Sequence, residues 1–159
     1  MIETLKRPRT LWILFGLVIA QTIGFGIIMH IWEFALVDEM SDPDAIRAHI
    51  GAMTDLQRTV HAWTTATLDV AYPLTYGPLF AGLTLRAFDA RFALPAWLVI
   101  PTDLSEGVVQ VLAMSGNLDP LWLKAWLTPA KLVLFLLAML IAIAALIVDI
   151  RRRRKSSDT

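Results

Sequence analysis

Along this chain apolar residues do not alternate with polar ones; they gather in four long blocks separated by short polar stretches. The blocks cover residues about 11–32, 60–85, 95–114 and 129–148, each near the ~20 helical residues that cross ~30 Å of hydrocarbon. The last contains an unbroken apolar run, 132–148. This pattern predicts an all-α integral-membrane four-helix bundle, one membrane domain over residues 1–159 with a tail at 149–159. The first block is longer than a signal-peptide core and no convincing small-x-small site follows it, so a retained helix is expected. Between the first two blocks, Asp42-Pro43 reads as a helix N-cap with proline at the next position. Ile46, His49, Ile50, Met53 and Leu56 then recur at helical spacing. That spacing predicts a short external amphipathic helix, lying on the outer membrane surface or covering the mouth of the bundle. Asp119-Pro120 repeats the cap, so the fourth helix should begin before its apolar run and bend near Pro129.

Composition supports the membrane reading: 57% of residues are hydrophobic, only 18% are charged, and the mean hydropathy is +0.61. At 159 residues the chain allows one domain and excludes a large multidomain enzyme. Its zero formal net charge argues against nucleic acid as a partner. The absence of cysteine excludes disulfides, thiolate metal sites and a thiol nucleophile. Basic residues set an orientation. Lys6, Arg7 and Arg9 precede the first block, Arg86 and Arg91 lie between the second and third, and a run at 151–155 follows the fourth. The other side has Arg47, Arg58 and Lys124. The positive-inside rule then places both termini in the cytoplasm, which requires an even number of spans. Trp12, Trp32, Trp63, Trp97, Trp122 and Trp126 fall near block ends, as an interfacial aromatic belt would. Gly24, Gly26, Gly77 and Gly82 suggest close helix approaches.

What a simple anchor does not need is acid at mid-depth, and Asp69, Asp103 and Glu106 provide it. Each costs about 2.5–3.5 kcal/mol on insertion scales, so the third block, with roughly −4 kcal/mol from its aliphatic residues against roughly +5 to +7 from two acids, would insert poorly alone. Its polar face must meet partners or water. Asp103, Glu106 and Gln110 are three and four apart and form one stripe, extended outward by Asn117. Thr65, Asp69, Tyr72 and Tyr76 form a second stripe. Pro73 lacks an N–H, so the Asp69 carbonyl should lose its usual helical partner and face the interior with the side chain. Gln21 and Lys131 add polar groups to the first and fourth blocks, although a lysine placed like Lys131 more often snorkels to the headgroups than serves as an intramembrane counter-ion.

Metal and cofactor motifs are lacking. His30, Glu33 and His61 could lie at one level, but the paired Glu-x-x-His motifs of di-metal bundles are missing, and no metal site is expected. No phosphate-cradling glycine loop or nucleophile elbow occurs, and no cofactor is implied.

The segments Asp69-x-x-Tyr72-Pro73-x-x-Tyr76-Gly77 and Asp103-x-x-Glu106, followed by a lysine early in the last block, resemble a group of small bacterial four-span membrane proteins. That group has an acidic external loop, a D-x-x-Y-P-x-x-Y-G segment and a D-x-x-E-N segment; here Gly107 replaces the asparagine. The resemblance implies the four-span architecture and supplies no reaction. A looser similarity, carrying no residues over, is to membrane isomerases of the emopamil-binding type, which place acids in a lipid-accessible pocket.

Close carboxylates in a low dielectric do not ionise alike, so one can hold a proton while another accepts one. The sequence therefore leads to an intramembrane pocket that binds or transforms a hydrophobic, lipid- or isoprenoid-like small molecule by acid/base chemistry. Asp69, Glu106 and Asp103 are the candidate catalytic groups, and Tyr72, Tyr76, Gln110, Thr65, Lys131 and Gln21 the candidate ligand-binding groups. Membrane lipids are the expected surroundings, with a homo-oligomer or a membrane partner protein left open. Two other classes remain open: a non-enzymatic subunit or assembly factor whose acids are helix–helix glue, and a small proton-coupled transporter.

Overall fold

Pro8, Pro43, Pro73 and Pro95 each stand in the first turn of a helix, where the missing N–H is not needed. The computed structural model describes residues 2–33, 35–116 and 119–157, all helix, turn or irregular, with no strand among them. A single turn, α1 (Ile2–Leu5), precedes α2 (Pro8–Trp32), which ends at Glu33 in the left-handed region with φ 50°. Then come α3 (Pro43–Ala52), α4 (Asp55–Thr64), a π-helical turn at Thr65–Asp69, α5 (Pro73–Thr84), α6 (Leu94–Ser115) and α7 (Lys124–Ser157). Three stretches are long and apolar enough to cross a membrane: Pro8–Trp32, Ala90–Ser115 and Leu121–Lys155. They contain the first, third and fourth expected spans, and α7 runs on past Pro129 without a break.

The second expected span, about 60–85, is not one regular helix. It is divided between α4 and α5 by the π-helical turn, with Tyr72 as the turn residue before Pro73. The backbone nonetheless stays right-handed at Thr65, Val70 and Tyr72. Proline cannot donate to the preceding turn, and a π-bulge is a common way to absorb the resulting mismatch.

Helices α5, α6 and α7 pack on one another, and α2 lies chiefly against α5. Small residues permit the close contacts: Ala81, Ala93, Ala96 and Ala138 form a buried cluster under Phe80, Leu85 and Trp97. A Cβ on Gly77 would stand 2.6 Å from Ile100, and one on Gly82 would stand 2.7 Å from the Leu5 carbonyl oxygen. The first glycine pair differs. Gly24 faces Leu68 at an ordinary 3.4 Å and Gly26 faces open space, so neither marks a tight crossing. Arg86 pairs with Asp149 at 2.8 Å and ties the end of α5 to α7. Trp12, Trp63, Trp122 and Trp126 are exposed, whereas Trp32 and Trp97 are half-buried against apolar clusters.

At the opposite end, α3 covers the bundle. Asp42 caps it by accepting from the Asp44 N–H at 3.1 Å. Its buried Ile46 and Ile50 join Val37, Met53, Met114 and Leu121 in one cluster. Of the two placements expected for this helix, the structure has the one over the mouth, and Leu56 stays exposed on α4. Thr54 and Gln57 cap α4 reciprocally, and the Gln57 amide also donates to the Trp32 carbonyl at 3.0 Å.

Gly82→Ala is expected to lower stability by about 1–3 kcal/mol through overpacking against the backbone of Leu5, while Gly26→Ala leaves it unchanged. Thermal melting in detergent micelles compares the two.

Candidate functional site

The site is made by two polar stripes that face each other. On α6, Asp103, Glu106 and Gln110 point inward and are all buried. On α7, Lys124, Thr128 and Lys131 recur at four- and three-residue intervals and therefore share a face. Lys124 Nζ donates to Glu106 Oε1 at 2.7 Å, with neither side chain exposing any surface. The Thr128 hydroxyl donates to the same oxygen. Lys131 Nζ lies 2.5 Å from Glu106 Oε2, an ion pair without hydrogen-bond alignment, and 3.4 Å from Asp103 Oδ1. Tyr76, on α5, donates from its hydroxyl to Asp103 Oδ2 at 2.6 Å.

A third element, the short 3-10 turn Val37–Glu39, completes the cluster. Asp38, in the segment after α2, accepts from Lys131 Nζ at 2.7 Å and from the Gln110 amide at 3.0 Å. Burial alone would raise its carboxyl, but the Lys131 charge and hydrogen bond, with Lys124 and Gln110, more than offset that and hold it below the ordinary 3.8. The preceding residue, Val37, is fully buried and donates its N–H to His61 Nε2 at 3.1 Å.

Two cavities border this network. One of about 490 Å³ is lined by Asp38, Asp69, Tyr72, Tyr76, Asp103, Thr128, Lys131, Leu132 and Phe135. The other, about 430 Å³, is lined by Thr22, Phe25, Gly26, Met29, Leu36, Asp38, Thr65, Asp69, Tyr72 and Gln110. Asp38, Asp69 and Tyr72 belong to both walls. The first cavity reaches the outer surface beside exposed Leu132, the second beside exposed Thr22 and Gly26. Asp69 is half-buried and, among the described residues, has no hydrogen-bond or ion-pair partner. Gly107 explains part of this: a Cβ there would stand 3.7 Å from Asp69 Oδ2, so glycine offers the carboxylate no side chain from that position of α6.

The expected residues are thus sorted by their surroundings. Asp69, Asp103, Tyr72, Tyr76, Thr65, Gln110 and Lys131 line one or both cavities. Glu106 lines neither and is enclosed by Lys124, Lys131 and Thr128. Gln21 also lines neither; it hydrogen-bonds Thr75 at 2.6 Å and holds α2 to α5. Lys131 points into the cluster and does not snorkel, since three carboxylates surround its ammonium. Asn117 lies outside the described residues. Sequence reasoning missed three participants. Asp38 belongs to none of the stripes or motifs of the sequence, and Lys124, which stands among the external cations there, is buried. Thr128 went unmarked. The Lys124–Thr128–Lys131 spacing was the available signal for α7; Asp38 had none.

His30 and Glu33 are exposed and His61 is engaged by Val37, so these three do not gather as ligands. Among the described residues the three-ligand group is Asp38, Asp103 and Glu106, whose oxygens lie within 4.8 Å of one another around the Lys131 ammonium. No protein-family model, curated protein or solved structure matches the chain.

Lys124→Met leaves Glu106 with one cation fewer inside the protein and is expected to cost about 3–5 kcal/mol. Glu106→Gln costs a comparable amount, and the double variant loses clearly less than the sum of the two. Denaturation followed by circular dichroism reads all three. Asp38 contributes stability that is complete above the ordinary value of 3.8 and is lost as pH falls through its lower folded value. The melting temperatures of the parent and Asp38→Asn should therefore converge on acidification below about pH 4.

Proposed function

We propose that this is a four-span bacterial inner-membrane protein with cytoplasmic termini, in which α2, the α4–α5 unit, α6 and α7 are the crossings. Its cavities receive a hydrophobic small molecule from the bilayer, and Asp69 exchanges a proton with it. The observation that carries this reading is Asp69 itself, a half-buried carboxyl without a partner among the described residues, on the wall common to two cavities that reach the apolar surface. A carboxyl that serves only as helix glue is hydrogen-bonded, as Asp103 is to Tyr76.

The network next to it divides the work. Asp103 and Lys131 share the larger cavity with Asp69, and Tyr76 fixes Asp103. Tyr72 separates the cavities, with its hydroxyl 3.2 Å from that of Thr22, while Thr65 and Gln110 line the second. Glu106 is a positioning residue that, with Lys124, holds Lys131 in place. Isomerisation or cyclisation of an isoprenoid-like molecule suits this arrangement: a proton leaves one carbon and another returns elsewhere, without redox change or cofactor.

The test is labelling with dicyclohexylcarbodiimide, an apolar reagent that modifies carboxyl groups reachable from the bilayer and not engaged by a cation. Asp69 should carry the adduct in peptide mass spectrometry, and Asp69→Asn should remove it with no change in the melting curve. Gly107→Asn, which brings an amide toward Asp69, should reduce labelling several-fold. The hydrophobic molecule that co-purifies with the parent should be lost in Asp69→Asn. Labelling confined to other acids, or lipid extracts that are empty or identical for the two proteins, would instead identify a scaffold or assembly subunit.

A further inference from the structure

The external connection between α2 and α4 is fastened to the site rather than merely spanning the gap, and its fastenings are unequal. Val37 and the apolar face of α3 are buried on Met114 and Leu121. Arg47 reaches Asp119 at 2.7 Å, an exposed pair weakened by water and salt. His49 bonds the Ala35 carbonyl at 3.1 Å and so closes the segment on itself. Among the described side chains of this segment, Asp38 carries a charge into the cluster, where it meets Lys131 at 2.7 Å. Its carboxyl stands in both cavity walls, so moving it away would widen both spaces on the side of this segment.

We propose that residues 35–53 form a strap that closes the acid cluster from the aqueous side, with the Asp38–Lys131 ion pair as its latch. The charge balance makes the latch reversible. When Asp38 leaves, its carboxylate gains water, and the Lys131 ammonium keeps Glu106 at 2.5 Å and Asp103 at 3.4 Å. Opening therefore strands no cation, which is the usual reason a buried pair cannot part. The remaining polar losses are the Gln110 amide, the Val37–His61 hydrogen bond and the exposed Arg47–Asp119 pair, all of which water can satisfy. The strap has natural ends, the left-handed Glu33 at the close of α2 and the Thr54–Gln57 cap that starts α4. This inference concerns access and holds whatever molecule occupies the cavities.

The chain has no cysteine, so a single reporter can be introduced cleanly. Thr65, buried on the wall of the second cavity, is replaced in Thr65→Cys and reacted with a water-soluble, positively charged methanethiosulfonate in proteoliposomes. Adding Asp38→Asn should raise the labelling rate by about tenfold or more, because the latch charge is gone. Adding Asp44→Asn, an exposed acid of the same strap, should leave it unchanged. A rate within about twofold of the parent in the Asp38→Asn background, or an equal rise with Asp44→Asn, overturns the latch. Hydrogen exchange on the unaltered protein keeps the proposal testable if Asp38→Asn fails to fold. Peptides covering 35–53 should exchange together and before those of α6; protection equal to that of α6 overturns the strap.

Discussion

Glu106 and Lys124 meet at 2.7 Å with no surface of either exposed. Ions withdrawn from water cost several kcal/mol apiece even after relaxation, so such a pair is tolerable only with its geometry complete. That requirement fixes how α6 and α7 face each other. Rotating either helix by one residue would swing its stripe by about 100° and leave charge in apolar surroundings. Thr128 and Lys131 follow Lys124 along the same face and fill the rest of the Glu106 carboxylate. The pairing is thus a register device for the interior; the long apolar faces of α2 and α7 carry no such information.

From that constraint comes a division among the acids. Glu106 is enclosed by two ammonium groups and the Thr128 hydroxyl, Asp103 is held between Tyr76 and Lys131, and Asp38 is drawn in from the external segment. Asp69 is left on the cavity wall, opposite Gly107. A satisfied acid stabilises, whereas an unsatisfied one beside a cavity has chemistry still available to it. Glu106 and Asp69, both carboxylates of the polar interior, therefore differ in surroundings: one is enclosed by cations and the other borders the cavities.

The backbone at Asp69 is irregular for a related reason. Thr65 and Asp69 begin and end the π-helical turn, and Pro73 opens the next helix. A regular helix over 60–85 would allow the i+3 and i+4 neighbours to align as one even stripe. The wider turn shifts the residues after it around the axis; Thr65, at its start, lines the second cavity, Tyr76, beyond it, reaches Asp103, and Asp69 and Tyr72 line both cavities.

The sequence by itself determined the local matters: the helical class, the three long apolar stretches, the Asp42 cap, the inward stripe of α6 and the glycine crossings at Gly77 and Gly82. Each follows from a period, a cap or a run length within about 30 residues, and such short-range rules are readable from order alone. Even the Lys124–Thr128–Lys131 face was written there, masked because Lys124 precedes the apolar run and looks like loop. Only the tertiary structure decided which charges neutralise one another. Asp38 and Lys131 are 93 positions apart, and their contact depends on the path of the external segment after α2. It likewise decided that Glu106 is enclosed, that Gln21 serves Thr75, and that Asp69 borders empty space. Those outcomes come from long-range packing, in which a carboxyl's partner is set by whichever helix happens to face it.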